Sequence, residues 1–234
     1  MKNIYYIIAI CTLFSVQVSG QACDELIRKI YDVPLDFDAS KGYFLDYSVR
    51  AAYLNENEPR ESIQRFEVVG RNDRVKVASE DYVIYQDSLA QVTILKDRRT
   101  IMISDKVLEE MKNDQWENFR ILQDTLIANA ADKICETEEG HHKITIELNQ
   151  KVRDFMKIRE LKLWSAKERV MLTRAVITYL PGQPVEEVEL SINKYLPTYE
   201  QVIFEGRAVD KVLIGNDLKD QYKGYKLIDV RKKK

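Results

Sequence analysis

Histidine is almost missing from this chain. There are two, His141 and His142, adjacent in sequence. Neighbours on a strand point to opposite faces, so the pair does not converge on one metal ion. Cysteine is nearly as scarce. Of Cys11, Cys23 and Cys135, none has a second Cys or a His at metal-ligand spacing. Eight Gly and five Pro leave no long flexible linker. There is no glycine-rich phosphate loop and no nucleophile elbow. Carboxylates are plentiful, but Asp154, Glu160, Glu186, Glu187 and Glu189 read as a solvated strand face rather than as paired catalytic acids. No constellation supports an enzyme, and no cofactor is implied. Charge of one sign is not gathered anywhere either: 36 basic and 38 acidic residues are interspersed, for a net charge of −2. Only Arg231-Lys232-Lys233-Lys234 forms a basic run, read as a solvated terminus or a contact with acidic headgroups. That pattern argues against a nucleic-acid partner.

What is present begins with an address. Met1-Lys2-Asn3 is a short positive start and Ile4 to Val16 an apolar run of signal-peptide length. Small residues favour cleavage after Gly20, with Ala22 as the alternative. Two other readings are a retained anchor and a lipoprotein acylated at Cys23, although Gly20 stands where lipidation wants a larger aliphatic residue. The run is shorter than a spanning helix needs, and no segment of the mature chain is long and apolar enough to cross a membrane as a helix. Residues 1–20 are thus expected to be a signal peptide and 21–234 a single domain, periplasmic or otherwise exported. Cys11 leaves with the signal. The remaining Cys23 and Cys135, in an oxidising compartment, are expected to form a disulfide.

The mature chain is dominated by alternation. Hydrophobic residues recur with period two at Tyr43–Leu54, Ser62–Val69, Arg74–Ser79, Tyr82–Gln86, Ala90–Leu95 and Thr100–Ile103, separated by short polar turns. The period then changes. Ser104 or Asp105 can cap a helix carrying Val107, Leu108 and Met111, and a second helix is read from Gln115 to Cys135 with Trp116, Phe119, Leu122, Leu126, Ala130 and Ile134 on one stripe. Alternation returns at Lys143–Leu148, Lys157–Trp164, Arg169–Tyr179 and Pro184–Ile192. A short helix precedes all of this at Cys23–Tyr31. At the end, Glu200–Phe204, Lys211–Ile214 and Tyr225–Val230 are strand candidates and Asp217–Lys223 a turn of helix. The expectation is an α+β protein with a mostly antiparallel, strongly curved sheet and helices inserted between its two halves.

Two stretches carry a resemblance. Asp81-Tyr82-Val83-Ile84-Tyr85 through Gln91-Val92-Thr93-Ile94 is one; Lys157–Trp164 through Pro184–Tyr195, ending near Asn193, is the other. Over about residues 24–205 the chain resembles the periplasmic lipoprotein-carrier family, LolA and LolB. The resemblance implies an incomplete antiparallel β-barrel closed by helices over an apolar cavity. It also implies a non-enzymatic carrier or binding protein for a lipoprotein acyl chain or other apolar ligand. The segment from Gly206 is an extension. The alternative is a structural or interaction subunit of an envelope complex with a protein partner. The thirteen Tyr fit either sheet packing or an apolar pocket with polar fringes. From alternation, the candidate ligand lining is Val83, Tyr85, Val92 and Ile94, with Leu172 and Val176 from the second half. A one-residue slip would turn each set to the other face, and a solid core is the competing expectation.

Overall fold

The computed structural model describes residues 19–32, 39–53, 61–105, 124–125, 127–138, 140–168 and 170–231. It is mostly β. Twelve strands hydrogen-bond in the order β14-β6-β5-β4-β3-β2-β1-β11-β10-β9-β8-β7. Their bounds are β1 Tyr43–Tyr53, β2 Glu61–Arg71, β3 Arg74–Ser79, β4 Tyr82–Gln86, β5 Ala90–Leu95, β6 Thr100–Asp105, β7 Ala130–Glu138, β8 His141–Leu148, β9 Ile158–Ala166, β10 Leu172–Tyr179, β11 Val185–Leu196 and β14 Lys226–Asp229. The two-residue strands β12 (Leu213–Ile214) and β13 (Asp217–Leu218) pair separately. Two helices lie wholly within the described residues, α1 (Ser19–Asp32) and α2 (Gln150–Met156). The sheet is mixed, because β14 runs parallel to β6. No closed barrel is formed among the described strands. The chain divides into two compact units. The first takes Met1–Asp36, Ala51–Glu61 and Phe119–Leu190, the second Phe37–Arg50, Ser62–Asn118 and Ser191–Lys234.

In the first unit α1 packs on β7–β9. Cys23, Ile27 and Ile30 recur at helical spacing and are buried. They meet Ile144, Ile146 and Leu148 of β8 and Ile158, Leu161 and Leu163 of β9. Cross-strand partners share a face, so the pairings of Cys135 with Ile144 and of Lys133 with Ile146 put both β7 side chains beneath the helix. There Cys23 and Cys135 form the expected disulfide, with Cα atoms 5.7 Å apart, and Lys133 bonds Asp24. The helix read from Gln115 to Cys135 is corrected here. Its described part is helical at 124–125 and 127–129, and Ala130–Glu138 is a strand. Ala130 and Ile134 lie four apart, which mimics a helical stripe. Pairing along β8 satisfies the backbone and overrides that local pattern. Residues 106–123, including the Val107–Met111 helix and Trp116, lie outside the described residues, and β6 extends through Asp105.

Between β8 and β9, α2 starts at Asn149, whose Oδ1 accepts a hydrogen bond from Val152 N at 3.1 Å. Val152 and Met156, four apart, rest on the core beneath α1.

In the second unit the core lies between β4–β6 and the C-terminal segment. Val92, Ile94, Ile101 and Ile103 are at most 3% exposed, under Phe204, Ala208, Val209 and Val212. Glu200–Phe204 is irregular rather than a strand, and a 3-10 turn at Val209–Lys211 brings the apolar residues down together.

Asp87 fastens this segment to the sheet. Only 5% exposed, its carboxylate accepts hydrogen bonds from the backbone N–H groups of Leu89 (2.8 Å), Ala90 (3.0 Å) and Ala208 (2.6 Å). Burial pushes its pKa up, but the N–H groups of Ala208, Leu89 and Ala90, with the charge of Arg74, outweigh that and hold it below the ordinary carboxylate range. A depressed folded pKa means the stabilisation is whole above the unfolded value of about 3.9 and is lost as pH falls below it. Asp87→Asn is expected to cost about 1.5–3 kcal/mol at pH 7. Urea titrations of both proteins from pH 7 to pH 3 check the sign: the gap between them should narrow below about pH 4.

Candidate functional site

The register resolves which residues face the tail. Val83 lies opposite Ile94, and Tyr85 opposite Val92; Val92 and Ile94 lie opposite Ile103 and Ile101. The four first-half candidates therefore do share one face. That face is the one the C-terminal segment covers, with Tyr85 edge-on to Phe204 at 5.5 Å between ring centroids. The two second-half candidates part company. Between Leu172 and Arg174 the β9 partner advances only from Ser165 to Trp164, so Thr173 is an extra residue, a β-bulge. Alternation resumes one residue out of phase. Leu172 joins Ala175, Ile177 and Tyr179 on the helix-covered core. Val176, 4% exposed, turns to the opposite face, which also carries Arg174 stacked over Trp164 and paired with Glu189.

The other face of β1–β5 in the second unit has a different character. Ile84 lies opposite Val77 and Thr93, and Val77 lies opposite Val68. These residues are neither buried nor fully exposed. Beside them three aromatics make a row across three strands. Tyr47 stacks on Phe66 with centroids 4.9 Å apart, and Phe66 meets Tyr82 at 6.2 Å. Tyr43 lies against Gly70, where a Cβ would stand 2.4 Å from its ring, so only glycine admits that ring. Burial raises the pKa of the Tyr47 hydroxyl, and Tyr82 adds to the effect. Tyr43 is raised by burial first and then by Tyr195. Both phenols therefore stay neutral near pH 7. The result is an uncharged face of aliphatic side chains and rings with hydroxyls to hydrogen-bond at its margin.

Polar groups in this unit serve architecture. Asp46, 5% exposed, accepts hydrogen bonds from Arg65 (Nε at 2.9 Å) and from Asn193 (Nδ2 at 3.0 Å). The Arg65 hydrogen bond holds its pKa down against burial, and Asn193 adds to it. Among the described residues no group of three or more His, Cys, Asp or Glu could hold a metal ion. His141 and His142 open β8 on opposite faces, opposite Ala166 and Ser165 of β9.

Sequence reasoning missed the covering segment and its clasp, Asp87. A signal was available. Phe204, Ala208, Val209 and Val212 are spaced as one helical stripe, and β5 is apolar at Val92 and Ile94 but polar at Gln91 and Thr93, marking which face needed a cover.

No family model matches the chain, and no curated protein sequence matches it. Distant structural matches to LolA-superfamily and MucB proteins extend over most of it. A LolA superfamily protein from Nitrosomonas europaea matches at 9% identity and a TM-score of 0.28, over 79% of this chain and 94% of its own. A chain of the Pseudomonas aeruginosa MucA/MucB complex matches at 11% and 0.38, over 75% and 56%. An uncharacterized conserved protein from Thermus thermophilus matches at 10% and 0.42, over 89% and 99%.

Proposed function

We propose that this is a non-enzymatic, exported envelope protein that binds an apolar ligand, such as a lipoprotein acyl chain, on the Tyr47–Phe66–Tyr82 face of β1–β5. One observation carries the reading. That face carries no charge, yet its apolar residues Val68, Val77, Tyr82 and Ile84 are left half-buried, whereas the opposite face of β4–β6 is packed under the chain's own tail. The ligand face is thus the complement of the Val83–Tyr85–Val92–Ile94 set. In this reading residues 1–20 are the export signal, and the periplasm supplies the oxidant for the disulfide.

Ile84→Glu tests it. A carboxylate on a face that receives acyl chains opposes binding by its own desolvation. At a half-buried position it leaves most of the fold's stability in place. Titration with a fluorescent fatty acid should show at least ten-fold weaker binding than the parent, and native mass spectrometry of the gently purified parent should show bound lipid. A parent with neither bound lipid nor probe uptake rejects the carrier. The end strand β7, with Ile134 46% exposed, supports a second reading as an interaction subunit. A protein that co-purifies in place of lipid favours that one.

A further inference from the structure

Phe155 is 87% exposed, more than any other large apolar side chain among the described residues. Its position follows from α2. Val152 and Met156 face the core, so Phe155 and Lys151, also four apart, share the outward side. Lys157 then ends the helix in the left-handed conformation, with φ of 59°, and its carbonyl accepts a hydrogen bond from Leu180 N at 2.7 Å. That bond brings the exposed Pro181-Gly182 turn alongside. Lys151, Lys157 and Arg159 are all exposed, and none ion-pairs with a described residue. From Lys151 to Arg159 there are four basic residues and one acidic residue, Asp154, in a chain whose net charge is −2. Several other cations on this unit are neutralised locally: Lys143 by Glu136 and Glu138, Lys162 by Glu160, Arg174 by Glu189.

We propose that α2 and the start of β9 dock on an anionic lipid surface, with the Phe155 ring entering the boundary between headgroups and acyl chains. A lone exposed ring with unpaired cations close by in sequence has the composition of an interfacial anchor: the ring gains by leaving water, and the cations gain from headgroup phosphates. A protein interface would present several apolar anchors clustered at its centre, whereas one ring with three cations matches a fluid, negatively charged plane. The docking is peripheral and reversible. Each cation strengthens partitioning by roughly five-fold at low salt, and the effect fades as salt shortens the screening length to about 8 Å at physiological strength. This inference does not depend on the ligand face, which lies in the other unit.

The test places a reporter at the site itself in the full chain. Phe155→Trp is mixed with vesicles of phosphatidylcholine alone or with 30% phosphatidylglycerol, carrying brominated acyl chains. The parent's emission, from Trp116 and Trp164, is subtracted. The expected difference spectrum is blue-shifted and bromine-quenched on the anionic vesicles, solvent-like on the neutral ones. Adding Lys157→Glu should weaken partitioning at least ten-fold, and 0.5 M salt should abolish it. An introduced indole that stays solvent-like on anionic vesicles overturns the proposal. Equal quenching on neutral vesicles overturns it too. Because the readout is local to the site, attachment of the chain through any other segment does not imitate it.

Discussion

Phe204→Ala is expected to lower stability by about 3–5 kcal/mol and to expose the buried face of β4–β6. Phe204 is 6% exposed and is the largest of the buried side chains the C-terminal segment contributes to that core. Its ring meets Tyr85 edge-on, and the cations of Arg74 and Lys211 stand 5.2 and 5.6 Å from its centroid. Truncation therefore removes apolar burial together with aromatic and cation–π contacts worth roughly 0.5–1 kcal/mol each. The cavity cannot refill easily, since Val92 and Ile103 beneath it are already wholly buried and held in the strand ladder. Arg74 also donates to the Phe204 carbonyl at 2.8 Å, a bond the substitution leaves in place. The loss should thus be one of packing rather than of chain path. Urea unfolding gives the magnitude, and binding of an apolar dye by the variant in native buffer reports the uncovered face. A loss under about 1 kcal/mol, the size of an ordinary surface change, would mean that the segment lies loosely over the sheet and that Val83, Tyr85, Val92 and Ile94 are accessible after all.

The strands of the first half were legible almost residue for residue. Arg74–Ser79, Tyr82–Gln86 and Ala90–Leu95 have the same bounds in the structure as in the alternation. They are short, each reverses through a polar turn, and an antiparallel neighbour a few residues away satisfies each ladder, so local sequence holds all the information. What failed was information that lies far away in the chain. Which face of β4–β6 is buried is decided by Phe204, more than a hundred residues on. Alternation alone selects the more apolar side of each strand as ligand lining, and that is the side a core claims first. The half-buried side, with Tyr82 and Ile84, is visible only once the cover is in place.

The bulge at Thr173 is a failure of another kind. An extra residue leaves no mark on a run of alternating side chains, yet it sends Leu172 and Val176 to opposite faces. In β7 and α2 helix and strand propensities were each overruled or left undecided. Ala130–Glu138 pairs along β8 despite its helical spacing, and Gln150–Met156 folds into a helix because Asn149 caps it and Val152 and Met156 find a core.

Cys135→Ser is expected to cost about 2–5 kcal/mol. The bridge joins residues 112 apart, and the chain-entropy argument, which counts the freedom that closing so long a loop removes from the unfolded chain, sets an upper figure near about 5 kcal/mol. The folded state loses something as well. α1 is held to β7 by the bond at Cys23 and by the Asp24–Lys133 pair next to it, and Ile27 and Ile30 are the only buried apolar side chains it adds beyond Cys23 among its described residues. Ile27 alone, wholly buried, keeps roughly 2–3 kcal/mol of apolar burial, so the helix should stay docked while its first turns open more often. Hydrogen exchange should accordingly rise first at residues 23–26 and at β7, leaving β8 and β9 protected. Reducing the parent with a phosphine should reproduce both the stability loss and this pattern. An unreduced, unfolded parent that reacts with two equivalents of thiol reagent beyond Cys11 would show that the bond does not form in the cell. Equal exchange across α1, β8 and β9 in the variant would show instead that the bridge holds the whole unit together rather than one helix.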